Sequence, residues 1–151
     1  MEKKLKVAAL RSGTVIDHIP SDKLFKVVQI LHLDTCDNQI TLANNLESKK
    51  ISSKGLIKIA DRALEEYETN KIALIAPDAK INIIREYEVV EKRPLKLPDN
   101  IYEIVQCPNP ACITNHQPVK TRFYLLREED EKLLKCHYCE KEVKLENVKI
   151  K

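Results

Sequence analysis

Residues 107–112 read Cys107-Pro108-Asn109-Pro110-Ala111-Cys112, and residues 136–139 read Cys136-His137-Tyr138-Cys139. Together they make the pattern C-x4-C-x23-C-x2-C. Each cysteine pair on a tight turn offers two thiolates at adjacent vertices of a tetrahedron, the geometry zinc prefers. Strand-like residues flank the turns: Ile104–Gln106 and Leu133–Lys135 lead in, and Glu142–Leu145 leads out. The spacing therefore predicts one structural zinc ion per chain, held by Cys107, Cys112, Cys136 and Cys139 in a small antiparallel β zinc ribbon. Four protein ligands leave no open position for water, so the ion is expected to support a surface and not to do chemistry. The competing readings are a pair of disulfides or free core thiols, and ligation by His116 or His137 in place of one cysteine.

The setting favours the metal. A segment of ~50 residues is too short to bury a large core and usually needs a metal or disulfides. The chain starts MEKKLKVAAL, which lacks the long apolar core and cleavage site of a secretory signal, and no apolar run reaches bilayer length. A cytoplasmic location and no membrane partner are expected, and in a reducing compartment clustered cysteines read as ligands. The fifth cysteine, Cys36, stands apart and reads as a buried thiol in a helix-to-strand turn.

Upstream of the cysteines the chain alternates strand-like and helix-like stretches. Val7–Leu10 and Thr14–Ile19 read as strands joined by a hairpin at Arg11-Ser12-Gly13. Ser21 is the candidate cap of a helix whose apolar face is Leu24, Val27, Val28 and Leu31. Ile40, Leu42 and Leu46 give Gln39–Leu46 the period of a half-buried strand, and Ile57 and Ile59 continue the pattern after Gly55. Thr69 is the candidate cap of a second helix ending before Pro77, and Lys80–Val90 is again strand-like. This order predicts an α+β architecture: a ferredoxin-like sheet with two helices on one side, followed by the zinc ribbon. The prolines of Glu91–Asn100 place a linker at 94–101, between an N-terminal domain at 1–93 and a zinc domain at 102–151.

Much chemistry is excluded by composition. Two glycines rule out both the P-loop and the Rossmann phosphate fingerprints. The net charge of +3 is spread over 26 basic and 23 acidic residues without a basic stripe, which argues against a nucleic-acid partner. A zinc ribbon that binds RNA or DNA is the alternative the four cysteines leave open. A small enzyme using Lys58 or His18 as a base is a third reading, although no nucleophile motif supports it. Asp17 and His18 are adjacent on a strand, so their side chains are expected to point to opposite faces and not to touch. A histidine and a few lysines gathered by the fold would suit a triphosphate.

Four further runs carry a family resemblance. Arg11-Ser-Gly-Thr-Val-Ile-Asp-His-Ile-Pro20, Leu56-Ile-Lys-Ile59, Ala76-Pro-Asp-Ala79 with Asn82, and Tyr87-Glu-Val-Val90 resemble the regulatory chain of aspartate carbamoyltransferase. Cys107-Pro-Asn with Cys112-Ile, and the run Lys135–Glu142, are similar to the same chain's metal segment. The resemblance implies a non-catalytic subunit of pyrimidine biosynthesis. Its N-terminal domain would bind the effectors CTP, UTP and ATP, and its zinc domain would dock on the catalytic chain. Regulatory-chain homodimers would bridge catalytic trimers. Matching position by position, Val7, Ala9, Leu10 and Val15 would line the base and ribose pocket, with backbone groups of Leu10 and Val89 reading the base edge. Asp17 and Lys58 would contact ribose and base, with Asn82, Ile84 and Tyr87 nearby. His18, Lys92 and Lys54 would face the triphosphate, and a one-residue slip would exchange Lys92 for Arg93. The signs of the individual effectors stay open.

Overall fold

Residues 14, 16, 57, 59, 81 and 83 set the first layer, because each lies on one face of a strand and is buried. In the computed structural model, which describes residues 9–47 and 53–151, the chain divides into two compact units, Met1–Lys96 and Leu97–Lys151. The first contains β1 (Gly13–Pro20), α1 (Leu24–Ile30), β2 (Ile40–Leu46), β3 (Lys54–Ala60), α2 (Glu66–Ile75), β4 (Lys80–Arg85) and β5 (Glu88–Arg93). Its five strands are antiparallel in the order β2-β3-β1-β4-β5. This is a ferredoxin-like sheet extended by one strand. Ile16, Ile57, Ile59, Ile81 and Ile83 pack against Leu24, Val27 and Leu31 of the first helical segment and Ile72 and Ala76 of the second. The helices thus cover one face, and the strand residues of opposite parity are left on the other.

Several sequence expectations are corrected here. Ala9 and Leu10 are not in a strand, so no hairpin forms at Arg11–Gly13; Val7 lies outside the described residues. Gly13 opens β1 with φ +141°, a conformation that L side chains rarely adopt. Ser21 does not cap α1: a 3-10 turn at Ser21–Lys23 precedes the helix, and no side chain caps it. The second helix begins before Thr69. Glu65 and Glu68 form a reciprocal capping box, and Thr69 instead donates its hydroxyl to the carbonyl of Glu66, 2.9 Å away. Lys80–Val90 is two strands, because Glu86 and Tyr87 both take positive φ and turn the chain back. β5 then runs to Arg93 despite the proline that follows. Leu42 is 42% exposed on edge strand β2, and Cys36 is half-buried where a buried thiol was expected.

An acid–base knot ties the loop after β3 to α2. Thr14, fully buried, donates its hydroxyl to the carbonyl of Arg62 at 2.6 Å. The Arg62 guanidinium in turn meets the buried Glu68 carboxylate at 2.5 Å, while the other oxygen of Glu68 accepts the Glu65 N–H.

The second unit holds β6 (Asn100–Tyr102), β7 (Val105–Gln106), β8 (Arg122–Arg127), β9 (Lys132–Cys136), β10 (Glu142–Lys144) and β11 (Lys149–Ile150). β10-β9-β8-β6 form one antiparallel sheet and β11-β7 a short ladder. Ile101, Ile104, Val105, Phe123, Leu125 and Leu134 are buried apolar side chains of this unit. The three strands read around the cysteines are present with slightly different ends, whereas β8 was missed although Phe123 and Leu125 stand two apart on one buried face.

Gly13→Ala tests the first unit. An alanine Cβ there would lie 2.0 Å from the backbone oxygen of Ile59, which no side-chain rotation relieves. The expected loss is about 3 kcal/mol or more, a melting point lower by about 10 °C or more. Gly55→Ala should cost less, since its nearest neighbour at 2.9 Å is the movable Cδ1 of Leu24. Equal melting of Gly13→Ala and the unaltered chain would refute this account of β1.

Candidate metal centre and ligand face

The four thiols meet because two turns are locked independently. In the first, the Asn109 side chain accepts the N–H of Ala111 at 3.0 Å, and the Asn109 carbonyl accepts the N–H of Cys112 at 3.0 Å. The Asn115 amide donates to the carbonyls of Cys107 and Asn109 at 3.0 and 2.8 Å. In the second, Glu140 takes φ +64° and donates its N–H to the Cys136 carbonyl at 3.0 Å. Sγ of Cys107 lies 3.6 Å from that of Cys139, Sγ of Cys112 lies 3.8 Å from that of Cys136, and all four sulfurs are within 4.8 Å of one another.

These separations decide between the readings. A tetrahedron of thiolates with metal–sulfur bonds of about 2.3 Å has edges of about 3.8 Å. A disulfide needs about 2.05 Å, and all five cysteines are free. Both histidines are engaged elsewhere: His116 Nε2 donates to the Pro110 carbonyl at 2.6 Å, and His137 Nδ1 bonds the Tyr124 hydroxyl. The residues therefore fit a four-coordinate metal ion.

Burial pushes the Cys107 thiol well up, and the neighbouring Cys139 and Cys112 thiols add to it. Burial likewise raises Cys136. For Cys139 burial opposes ionisation, but the backbone at Lys141, the Asn109 side chain and the neighbouring sulfurs outweigh it and draw the thiol to about 7. Thiols crowded in an apolar site cannot all ionise unless a cation lies among them.

The face of the first sheet opposite its helices carries most of the other candidate residues. Strand register lines up Thr41, Lys58, Val15, Asn82 and Lys92 in one row across all five strands. Ile84 and Val89 pair one step further along the same face. On one side of the row, where β3 ends, Ala9, Leu10, Lys58 and Tyr87 line a cavity of about 450 Å³. Ser12, Gln39, Thr41, Asp61 and Glu86 also line it, and they were missed; the polar parity of Thr41 between Ile40 and Leu42 was the available signal. Desolvation lowers the pKa of Lys58. On the other side of the row, where β3 begins, Lys54 Nζ is 3.0 Å from Asp17 Oδ1, and His18 Nδ1 is 3.5 Å from Asp17 Oδ2.

That last contact overturns the expectation that Asp17 and His18 cannot touch. The β1 register shifts between Ile16 and Ile19, and His18 takes φ +59°, so the alternation of a regular strand is broken at the pair. The His18 N–H also donates to Asp17 Oδ1 at 2.7 Å. Register further separates Lys92 from Arg93. Lys92 pairs with Asn82, whereas Arg93 pairs with Ile81 and donates to the Leu64 carbonyl at 2.9 Å.

Comparison with known proteins covers nearly the whole chain. Residues 5–96 match the family model "Aspartate carbamoyltransferase regulatory chain, allosteric domain", and residues 99–149 match the metal binding domain of the same chain. An aspartate carbamoyltransferase regulatory chain of Bacteroides fragilis is 53% identical over 146 residues, 97% of this chain and 95% of the relative. That of Phocaeicola vulgatus is 52% identical over 146 residues, 97% and 94% of the two chains. That of Pyrococcus abyssi is 49% identical over 147 residues, 96% of each.

Proposed function

The chain belongs to the family of aspartate carbamoyltransferase regulatory chains, with an allosteric domain ahead of a metal-binding domain, and we propose from this that it is the enzyme's non-catalytic, nucleotide-sensing subunit. It binds CTP, UTP and ATP on the face of the first sheet opposite its helices and passes their effect to the catalytic chain through the second unit. The observation that carries the reading is the row Thr41–Lys58–Val15–Asn82–Lys92, which leads from the Tyr87 cavity and has the Asp17–His18–Lys54 cluster beside it. An apolar and hydrogen-bonding end suits a base and ribose, and lysines with a histidine suit phosphates.

The division of labour is then 1–93 for the effector, 94–101 as the connection and 102–151 for docking. One zinc ion per chain sits among Cys107, Cys112, Cys136 and Cys139, where it supplies structural cross-linking of the two knuckles. The subunit works in the cytoplasm as a homodimer, without nucleic acid or membrane partners; among the described residues no helix is long and apolar enough to cross a membrane. Linkage supplies the mechanism. An effector that binds one quaternary state better shifts the catalytic chains toward it, with a coupling of about 1–3 kcal/mol.

The test is reconstitution with the cognate catalytic chain, followed by carbamoyl-transfer assays with each nucleotide. The chain alone should have no activity, and the assembled enzyme should shift its aspartate dependence several-fold with at least one nucleotide. An assembled enzyme indifferent to all three nucleotides would refute the effector role.

A further inference from the structure

The outward face of β6, β8 and β9 carries an ordered cluster that neither the core nor the metal centre uses. Tyr102 and Arg122 are direct cross-strand partners, and Tyr124 lies two residues further along the same face of β8. The guanidinium carbon of Arg122 is 5.3 Å from the centre of the Tyr102 ring and 5.0 Å from that of Tyr124, within cation–π reach of both. The Tyr124 hydroxyl is bonded to His137, whose ring meets Tyr138 edge-on at 5.0 Å. Tyr102 is nevertheless 55% exposed and Tyr138 43%. Large rings held in place yet displayed to solvent are what binding hot spots are made of.

Arg122 lacks an acid. Its Nε is buried without a hydrogen-bond partner, and among the described residues no carboxylate forms an ion pair with it. Lys135, opposite Tyr124, adds a second cation to the face. Resting on the reading that this unit docks on the catalytic chain, we propose that Arg122, steadied by Tyr102 and Tyr124, anchors that docking by receiving an Asp or Glu carboxylate of the catalytic chain. A guanidinium offers a carboxylate two parallel N–H donors, and the aromatic flanks exclude water from the pair. His137 and Tyr138 lie between Cys136 and Cys139, so the same knuckle that binds metal shapes the anchor. Nucleic acid fits less well, because one face of the Tyr102 and Tyr124 rings is already taken by the guanidinium.

The experiment titrates the full-length, zinc-loaded chain into the cognate catalytic chain by calorimetry, alongside Arg122→Gln, Arg122→Lys and Tyr124→Ala, each checked for metal content and melting. Arg122→Gln should weaken assembly about tenfold or more, and Arg122→Lys should restore only part of it because the charge returns without the fork. The difference between Arg122→Gln and the unaltered chain should shrink as salt rises. Tyr124→Ala should weaken assembly too, which keeps the test open if Arg122→Gln fails to fold. Assembly by Arg122→Gln as tight as that of the unaltered chain would overturn the anchor and leave the docking reading standing. No assembly by the unaltered chain would overturn both. Salt-dependent binding of a single-stranded RNA oligonucleotide, lost in Arg122→Gln while assembly is unchanged, would reassign the face to nucleic acid.

Discussion

Cys136→Ser is expected to unfold residues 97–151 and leave the first unit folded. Cys136 is fully buried at the end of β9, its N–H and carbonyl both hydrogen-bonded within the knuckle, and its sulfur faces that of Cys112 at 3.8 Å. The apolar side chains of this unit are few, so the metal carries much of its stability; structural zinc in such units contributes on the order of 10 kcal/mol. Removing the ion with a chelator should have the same effect as the substitution. Metal content by mass spectrometry should fall from one ion per chain, and the thermal melt should lose one transition while that of the first unit persists. Acid should mimic the chelator. Metal-bound thiolates hold fewer protons than the unfolded chain's thiols, so stability rises with pH and is lost as protons compete for the sulfurs. The raised thiols of Cys107 and Cys136 make the same point, since burial favours their neutral form until a cation is present. A folded second unit in metal-free Cys136→Ser would end this account.

Lys58→Ala should weaken triphosphate binding about ten- to hundredfold, the usual cost of a charge-assisted contact in a partly buried site. Lys58 sits at the junction of the row and the Tyr87 cavity, so its loss touches the whole ligand face. Calorimetry with CTP and ATP at fixed salt measures the effect. The pH dependence has a definite sign. Desolvation lowers the Lys58 pKa from 10.5, so the ammonium that would bond the ribose and base loses its charge as pH rises through the lowered value. Binding should weaken on that alkaline limb at lower pH than an ordinary lysine would allow, and the limb should be missing in Lys58→Ala. Lys92→Ala should weaken binding as well. Arg93→Ala should instead cost stability of about 1 kcal/mol through its bond to the Leu64 carbonyl. Weaker binding in Arg93→Ala with unchanged Lys92→Ala would invert the assignment.

The legible parts of this chain were those where chemistry is written into residue type and local spacing. Four cysteines at turn spacing define a metal centre before any fold is known, because the ligands within each pair are neighbours in sequence. The isoleucines of β3 and β4 and the Leu24–Val27–Leu31 stripe betray their buried faces by periodicity alone. Where backbone conformation departs from the regular period, local reading failed. His18, Glu86 and Tyr87 all take positive φ without being glycine, and nothing in their side chains announces it. The capping box likewise used two glutamates where a threonine was the expected cap.

The row across the first sheet belongs to a different order of information. Thr41, Lys58, Val15, Asn82 and Lys92 come from five strands whose order in the sheet differs from their order in the chain, and only strand pairing brings them onto one line. The Arg122 cluster likewise depends on β6 and β8 meeting across the nineteen residues between Tyr102 and Arg122. Metal ligands and buried faces follow from interactions along the chain, over distances a single turn or helix spans. The shared ligand face and the tyrosine-flanked arginine depend on register, which is settled by the whole buried face of each sheet at once, since a one-residue slip would turn every side chain to the other side.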